Sequence, residues 1–227
     1  MNAVEIQGLT KRYGAITAVD SLDLTVRQGE LFALLGVNGA GKTTTIKMLS
    51  CLTRPDGGDA RLLGRSIVSD AAGVKRCIGV SPQETAVAPN LTARENLALL
   101  CGVHGLSRQE TAARTEELSR ALGLEPILAR RAGKLSRPEI LFLDEPTLGL
   151  DVLARAELWD VVRQLKGQIT VILTTHYLEE AEALSDRVGI MKDGRLLALG
   201  TPEELKRQAG CDRFEDAFIA MVREAGR

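Results

Sequence analysis

Residues 36–43 read Gly36-Val37-Asn38-Gly39-Ala40-Gly41-Lys42-Thr43, a glycine-rich turn that matches the pattern G-x-x-x-x-G-K-[ST]. The residues before it, 31–35, are all apolar, as in a strand buried on both faces, and residues 42–52 have helical spacing. Such a turn directs several backbone N–H groups and a helix N-terminus toward one point, where Lys42 adds a charge and Thr43 a hydroxyl. The pattern therefore predicts a phosphate-binding site, the alternative being an ordinary glycine turn.

Strands and helices alternate on both sides of this turn. Upstream of it, residues 4–6 and 22–26 alternate apolar and polar side chains, which is typical of half-exposed strands. Downstream, residues 92–95 and 107–110 are capping boxes, and each opens a predicted helix in a stretch without a clear strand. Gly123 is predicted to stop the second of these helices. This stretch is interpreted as a helical insertion.

Strands return after Pro138. Residues 140–143 and 169–173 are predicted to be buried strands, with a helix over 152–165 between them. Asp193-Gly194 predicts a hairpin turn. A further capping box over 201–204 opens the last region, where residues 214–219 read as an amphipathic helix that packs on the core or docks a partner. The alternation of strands and helices predicts an α/β fold with a mainly parallel sheet.

Two adjacent acids end the strand over 140–143. Asp144 and Glu145 should lie at the carboxyl edge of the sheet, which faces the ligand crevice in parallel α/β folds. There Asp144 could hold Mg²⁺, directly or through water, and Glu145 could act as general base on an attacking water. The simpler interpretation is a solvated acidic turn after a core strand.

The composition excludes several classes of protein. The 227 residues contain 29 Lys and Arg against 30 Asp and Glu, a net charge of -1, and only 3% aromatic residues. This balance argues against a nucleic-acid partner. No apolar run approaches a membrane span, and the first residues do not resemble a signal peptide. The four cysteines lie far apart and are interpreted as reduced cytosolic thiols.

Taken together, these motifs resemble the nucleotide-binding subunits of ABC transporters over nearly the whole chain. The resemblance implies a P-loop NTPase core, RecA-like with a mainly parallel sheet, together with an antiparallel β region and a helical subdomain. The expected core spans residues 1–85 and 137–210, and the helical subdomain spans 86–136. Residues 201–227 are expected to form a C-terminal helical tail.

The resemblance also assigns site residues. Tyr13 is similar to the aromatic residue that stacks on adenine, and His176 to the switch histidine that contacts the γ-phosphate. Asp144 and Glu145 resemble the metal-binding aspartate and the catalytic glutamate, while Gln83 resembles a glutamine that touches Mg²⁺ and signals to the membrane partner. The residues thereby assigned to ATP are Tyr13, Gly36, Asn38, Gly39, Ala40, Gly41, Lys42, Thr43 and Thr44. Those assigned to Mg²⁺ are Thr43, Gln83 and Asp144, and those assigned to catalysis are Glu145, His176 and Gln83.

Simpler interpretations stand beside these assignments. Tyr13 could be a packed surface tyrosine, Gln83 a polar loop residue and His176 a hydrogen-bonded core histidine. The other histidine, His104, has no partner pattern and is interpreted as a loop residue. The acidic residues within 179–182 are interpreted as a solvated helix face.

One motif departs from the family. The signature expected before the strand over 140–143 stops after Leu135-Ser136 and runs through Arg137 into Pro138. The helix missing by comparison has about sixteen residues and would span about 24 Å, whereas the Cα atoms of Ser136 and Pro138 can be at most about 7 Å apart. Either the helical insertion is rebuilt, or this sequence lacks a segment that the natural protein carries. In the family, Ser136 and Asp151 would lie at the interface between two subunits.

The resemblance implies an ATP-binding, ATP-hydrolysing subunit that powers an exporter by ATP-driven closure and reopening of a dimer. An integral membrane permease would be its partner, and the chain would be cytoplasmic, peripheral on the inner face of the cell membrane. Two alternatives remain open. One is a non-transport ABC ATPase, and the other is a hydrolysis-deficient, nucleotide-gated regulator, which the broken signature would suit.

Overall fold

The computed structural model describes residues 1–81, 92–103, 107–122, 128–129 and 138–224. The chain divides into two compact units. One comprises Met1–Gln83 with Pro138–Arg227, and the other comprises Glu84–Arg137. Four predicted features, at Gln83, His104, Gly123 (a helix stop) and Leu135-Ser136, lie outside the described residues.

The first unit contains two sheets. The antiparallel sheet has the order β2-β1-β4-β5, and the six-stranded sheet has the order β10-β9-β3-β8-β7-β6. The strands are β1 (Asn2–Tyr13), β2 (Ile16–Arg27), β3 (Leu31–Gly36), β4 (Gly57–Leu62), β5 (Arg65–Ser66), β6 (Ile78–Ser81), β7 (Ile140–Asp144), β8 (Thr170–Thr175), β9 (Arg187–Lys192) and β10 (Arg195–Gly200).

The six-stranded sheet is parallel apart from its β9–β10 hairpin. Its central strands β3 and β8 are buried at every position, as their continuous apolar runs predict. Because β3, β7 and β8 run in the same direction, the chain leaves all three at one edge of the sheet. This edge carries the glycine-rich turn, Glu145 and His176.

Helices flank the strands. In the first unit they are α1 (Lys42–Leu49), α2 (Ala71–Cys77), α5 (Val152–Leu165), α6 (Leu178–Leu184), α7 (Pro202–Ala209) and α8 (Phe214–Glu224). The second unit contains α3 (Ala93–Val103) and α4 (Arg108–Leu122). No helix in the described part of the chain is long and apolar enough to cross a bilayer.

The local signals that bound these elements are confirmed. At the start of α7, Thr201 and Glu204 bond reciprocally as a capping box, and the boxes at Thr92 and Ser107 form likewise. The hairpin turn has positive φ at both central residues, 48° at Asp193 and 79° at Gly194. Positive φ at both positions is the conformation that a tight hairpin of this kind requires.

Some elements differ from the prediction. The helix predicted over 42–52 ends at Leu49, and Cys51 follows with a φ of 55°, which terminates helical geometry. The acidic helix face is wrong at one position, since Glu180 is fully buried while Glu179 is exposed. The four cysteines are free thiols, as predicted, and burial raises the pKa of Cys51 and Cys77.

The C-terminal helix α8 packs on the core. Phe214 is buried in a cluster that includes Leu35, Ile190 and Leu205, and Ala217 is buried as well. The Lys192 ammonium donates a 2.8 Å hydrogen bond to the Val222 carbonyl. The amphipathic stretch at 214–219 is therefore a core-packing element.

A nearly buried ion pair ties β2, β3 and β9 together at the sheet edge opposite the glycine-rich turn. The Glu30 carboxylate, with a side chain only 6% exposed, accepts a 2.6 Å hydrogen bond from Arg187 Nε and another of 2.6 Å from the Arg27 N–H. Arg187 also donates to the Thr25 carbonyl. Both charges are desolvated, so each depends on the other for compensation.

Glu30→Ala is expected to lower the free energy of unfolding by about 3 kcal/mol, because it leaves the Arg187 guanidinium without its carboxylate. Urea denaturation followed by circular dichroism measures this loss. Asp160→Ala is the matched control, since it removes the carboxylate of an exposed pair with Arg163. Equal midpoints for the two variants would contradict the importance of burial at Glu30.

Candidate functional site

A cleft of about 530 Å³ lies at the carboxyl edge of the six-stranded sheet. It is lined by Tyr13, Ala18, Asn38, Gly39, Ala40, Gly41, Lys42, Thr43, Thr44, Glu145, Leu148 and His176. The cleft thus brings together residues from the end of β1, the glycine-rich turn, and the segments after β7 and β8. The predicted residues Gly36 and Asp144 are not among the lining residues, although Asp144 directly precedes Glu145, which is.

The turn from β3 to α1 requires glycine where the backbone packs closely. A Cβ atom at Gly36 would lie 2.3 Å from the Met191 carbonyl oxygen, and one at Gly41 would lie 2.3 Å from the Ala18 carbonyl oxygen. Gly41 also has a φ of 101°, which other residues rarely adopt. It caps α1 without a side-chain hydrogen bond, so no side chain competes for the N-terminus of the helix. The turn is therefore shaped to accept an anion.

Lys42 brings a positive charge to the floor of the cleft. Its side chain is 4% exposed, and Nζ donates to the carbonyl oxygens of Gly36 at 2.8 Å and Val37 at 3.2 Å. The same ammonium lies 3.4 Å from Glu145 Oε1. These contacts hold an almost desolvated cation beside the turn, where it interacts strongly with any bound anion.

Asp144, the last residue of β7, accepts hydrogen bonds from two hydroxyl groups. Thr43 Oγ1 donates a 3.1 Å hydrogen bond to Asp144 Oδ1, and Thr174 Oγ1 donates to the same oxygen. Thr174 was not among the predicted site residues, although its place beside Asp144 follows from the parallel register of β7 and β8. The adjacent hydroxyl of Thr43 and carboxylate of Asp144 are oxygen ligands of the kind that Mg²⁺ prefers.

Glu145 adopts a conformation that directs its carboxylate into the cleft. Its φ is 48°, in the left-handed region that is uncommon for residues other than glycine. Two hydrogen bonds hold this backbone, because its N–H donates to the carbonyl oxygen of Thr174 at 3.0 Å and to the hydroxyl of Thr174 at 3.1 Å. The carboxylate then contacts Lys42 through Oε1 and His176 through Oε2.

His176 follows β8 and lies at the rim of the cleft. Its Nδ1 atom is 3.2 Å from Glu145 Oε2, and its side chain is 27% exposed. The interpretation as a core histidine is therefore wrong, since the imidazole is accessible from the cleft and pairs with a carboxylate there.

Tyr13 ends β1 on the outer side of the cleft, with 48% of its surface exposed. The Lys11 ammonium lies 5.5 Å from the centroid of its ring, close enough for a cation–π contact. Lys11 also donates to Asp56 Oδ1 at 3.0 Å, and bonds from the Arg12 N–H and Lys11 hold the pKa of Asp56 below its usual value. An exposed and braced aromatic ring can stack on a planar base.

Asp151 does not reach the cleft. It caps α5, where its carboxylate accepts a 2.9 Å hydrogen bond from the Ala154 N–H. Around it lie four apolar side chains that are at least two-fifths exposed: Leu148, Leu150, Val152 and Leu153. Two other predicted residues, Gln83 and Ser136, lie outside the described residues, so their positions relative to this cleft stay predictions.

The geometry suits the chemistry of a bound phosphate chain. The turn, the start of α1 and Lys42 offer N–H groups and positive charge, while Glu145 and His176 offer a base and a hydrogen-bonding partner nearby. Within the described ranges, no group of three or more His, Cys, Asp or Glu side chains could hold a metal ion alone. A divalent ion here would share its ligands between Thr43, Asp144, water and the phosphates themselves.

Comparison with known proteins identifies the family to which this chain is similar. A protein-family model described as ABC transporter matches residues 19–148. The daunorubicin resistance ATP-binding protein DrrA3 of Streptomyces coeruleorubidus is 42% identical, with 99% of this chain and 75% of that protein covered. The doxorubicin resistance ATP-binding protein DrrA of Mycobacterium tuberculosis is 43% identical, with 97% of this chain and 70% of that protein covered.

A solved structure described as the ATP binding subunit of an ABC transporter is 29% identical. It superposes with a TM-score of 0.71 and covers 97% of this chain and 99% of its own. The alignment to DrrA3 is 241 residues long although this chain has only 227, so DrrA3 carries residues that have no counterpart here.

Proposed function

This chain belongs to the ABC transporter family, and from that premise we propose that it binds and hydrolyses ATP to power an exporter. The observation that carries the proposal is the placement of Glu145 between Lys42 and His176 in one cleft. Export is proposed because the relatives DrrA3 and DrrA are named for resistance to daunorubicin and doxorubicin.

ATP binding uses the cleft from one end to the other. The phosphates lie against the N–H groups of residues 38–43 and the start of α1, with the Lys42 ammonium on the β- and γ-phosphates. The adenine ring stacks on Tyr13. Thr43 and Asp144 would hold Mg²⁺, which when bound would supply positive charge to offset the phosphates.

Hydrolysis is mostly a matter of position. A water oxygen attacks the γ-phosphorus in line with its bond to the β–γ bridging oxygen. That bond breaks, and ADP leaves with the bridging oxygen. Glu145 accepts the proton that the water loses. His176 contacts both the γ-phosphate and the Glu145 carboxylate and so fixes their relative positions. Lys42 offsets the charge on the phosphoryl oxygens.

The proposed activity requires a dimer of this chain and a membrane partner. Two copies would close on ATP with Ser136 and Asp151 at their interface, and the exposed Leu148, Leu150, Val152 and Leu153 give this surface an apolar area to bury. An integral membrane permease would hold the subunits at the cytoplasmic face of the membrane. Gln83, which would also contact Mg²⁺, and the segment that follows it to residue 91 are proposed to contact that permease.

A second candidate function rests on the signature. Only Arg137 separates Ser136 from Pro138, and the alignment to DrrA3 exceeds the length of this chain. A subunit without the signature helix would lack the groups that cap ATP on its partner, so it would bind ATP and hydrolyse it poorly. That behaviour would suit a nucleotide-gated regulator.

Turnover by a chain of known mass separates the two functions. Intact mass spectrometry should give 24.5 kDa, and phosphate release should then show ATP turnover that depends on the divalent ion. ATP binding without turnover at that mass would support the regulator. Co-purification with an integral membrane protein is expected for a transporter subunit. If this chain were not found in the membrane fraction, a non-transport ATPase would be favoured.

A further inference from the structure

A buried polar contact joins α5 to α6, the helix that begins two residues after His176. Trp159 on α5 donates a hydrogen bond of 3.2 Å from Nε1 to Glu180 Oε1 on α6. The Glu180 side chain is fully buried, and Oε2 has no partner among the residues that the structure describes. A buried carboxyl with one partner is costly to keep, so the contact invites a functional explanation.

A second contact joins α5 to Tyr177, the residue after His176 and the N-cap of α6. The Arg155 guanidinium on α5 is 5.8 Å from the centroid of the Trp159 ring and 6.0 Å from that of the Tyr177 ring. The rings of Tyr177 and His176 are 4.1 Å apart. Side chains of α5 therefore contact the chain after His176 at two points, Tyr177 through Arg155 and Glu180 through Trp159.

The position of α6 depends on such contacts. The helix has only seven residues, and Tyr177 caps it without a side-chain hydrogen bond. So short a helix is not stable by itself, and its placement comes from packing. Among the buried side chains of α6, Glu180 makes the directional contact, because Ala181 and Leu184 are apolar; the more exposed Glu182 lies 3.5 Å from the Lys206 ammonium on α7.

We propose that Trp159 and Glu180 are positioning residues that set the distance between His176 and Glu145 during ATP hydrolysis. The proposal rests on the role given to His176 above. Loss of the hydrogen bond lets α6 and the segment before it shift, and a displacement of about 1 Å from the reacting groups can cost up to 100-fold in rate. ATP binding is spared, because neither side chain lines the cleft.

A matched pair of substitutions at Glu180 tests the idea. Glu180→Gln keeps an oxygen that accepts from Trp159, whereas Glu180→Met has similar length and no such acceptor. We expect Glu180→Gln to retain kcat within about twofold and Glu180→Met to lower kcat about tenfold with KM for ATP unchanged. Wild-type kcat in Glu180→Met would overturn the proposal.

The His176→Ala background separates positioning from general damage. If Glu180 acts through His176, Glu180→Met has no further effect on kcat once the imidazole is gone. A loss that multiplies in the double variant would overturn the proposal, because it would show an effect that does not pass through His176. Trp159→Phe, which removes the donor and keeps an aromatic ring, should reproduce Glu180→Met in both backgrounds.

A measurement without turnover keeps this proposal distinct from the proposed function. The sequence has two histidines, so the imidazole proton resonances of His176 and His104 can be assigned by substitution. The His176 resonance should move in Glu180→Met and stay in place in Glu180→Gln, with His104 unchanged in both. An unmoved His176 resonance contradicts the positioning role, whereas a moved resonance in a protein that does not turn over ATP contradicts only the ATPase role.

Discussion

Glu145→Gln is expected to lower the rate of ATP hydrolysis about 1000-fold and to leave ATP bound. The substituted amide has the same size and can still contact His176, but it cannot take a proton from water. The positive φ of Glu145 and the two bonds from its N–H to Thr174 depend on the backbone, so they should survive the substitution. The variant should therefore accumulate as a closed complex with ATP.

Phosphate release at saturating ATP and retention of labelled ATP on a filter measure the two halves of this result. Glu139→Gln is the control, because Glu139 is an exposed carboxylate just before the same strand, β7. It should hydrolyse ATP at the parent rate. If Glu145→Gln also hydrolysed ATP at the parent rate, another group would have to be the base.

Lys42→Met is expected to weaken ATP binding about 100-fold, because a charge-assisted hydrogen bond to phosphate is lost from a desolvated site. Methionine has a similar length and fills the same space without the ammonium. The Gly36 and Val37 carbonyl oxygens that now accept from Nζ would lose that donor, which lowers the stability of the turn and not its affinity for ATP. Equilibrium titration with ATP measures the affinity without relying on turnover.

Lys47→Met is the matched control for this variant, since Lys47 is an exposed lysine on the same helix, α1. Its affinity for ATP should equal that of the parent chain. Equal affinities for Lys42→Met and the parent would contradict phosphate contact by Lys42. A loss of helix α1 in Lys42→Met would instead appear as a helix signal in circular dichroism below that of Lys47→Met.

Much of the fold was predictable because its signals are local. Continuous apolar runs predict β3, β7 and β8, and the capping boxes at Thr92, Ser107 and Thr201 predict where three helices begin. Each signal depends on contacts within a few residues, which the sequence displays directly. The antiparallel sheet was predicted only in part, because β4 begins with two glycines and lacks an apolar run, and β5 has only two residues.

Glu180 shows where local reasoning fails. In the sequence it lies among the acids of residues 179–182, which is typical of a solvated face. In the structure α5 covers this position, and Trp159 donates to the carboxyl. The spacing of residues in one helix gives its faces but does not tell which neighbouring element covers each of them.

The sequence by itself determined the phosphate turn, because glycine conformations, the start of α1 and the placement of Lys42 and Thr43 are all set within a few residues. It also determined that Asp144, Glu145 and His176 lie at the ends of buried strands. Only the tertiary structure decided which of these groups meet. Thr43 bonds to Asp144 across 101 positions of chain, and Glu145 contacts both Lys42 and His176, because the strand order brings the carboxyl ends of β3, β8 and β7 side by side. That order results from packing of the whole sheet, which no short segment specifies.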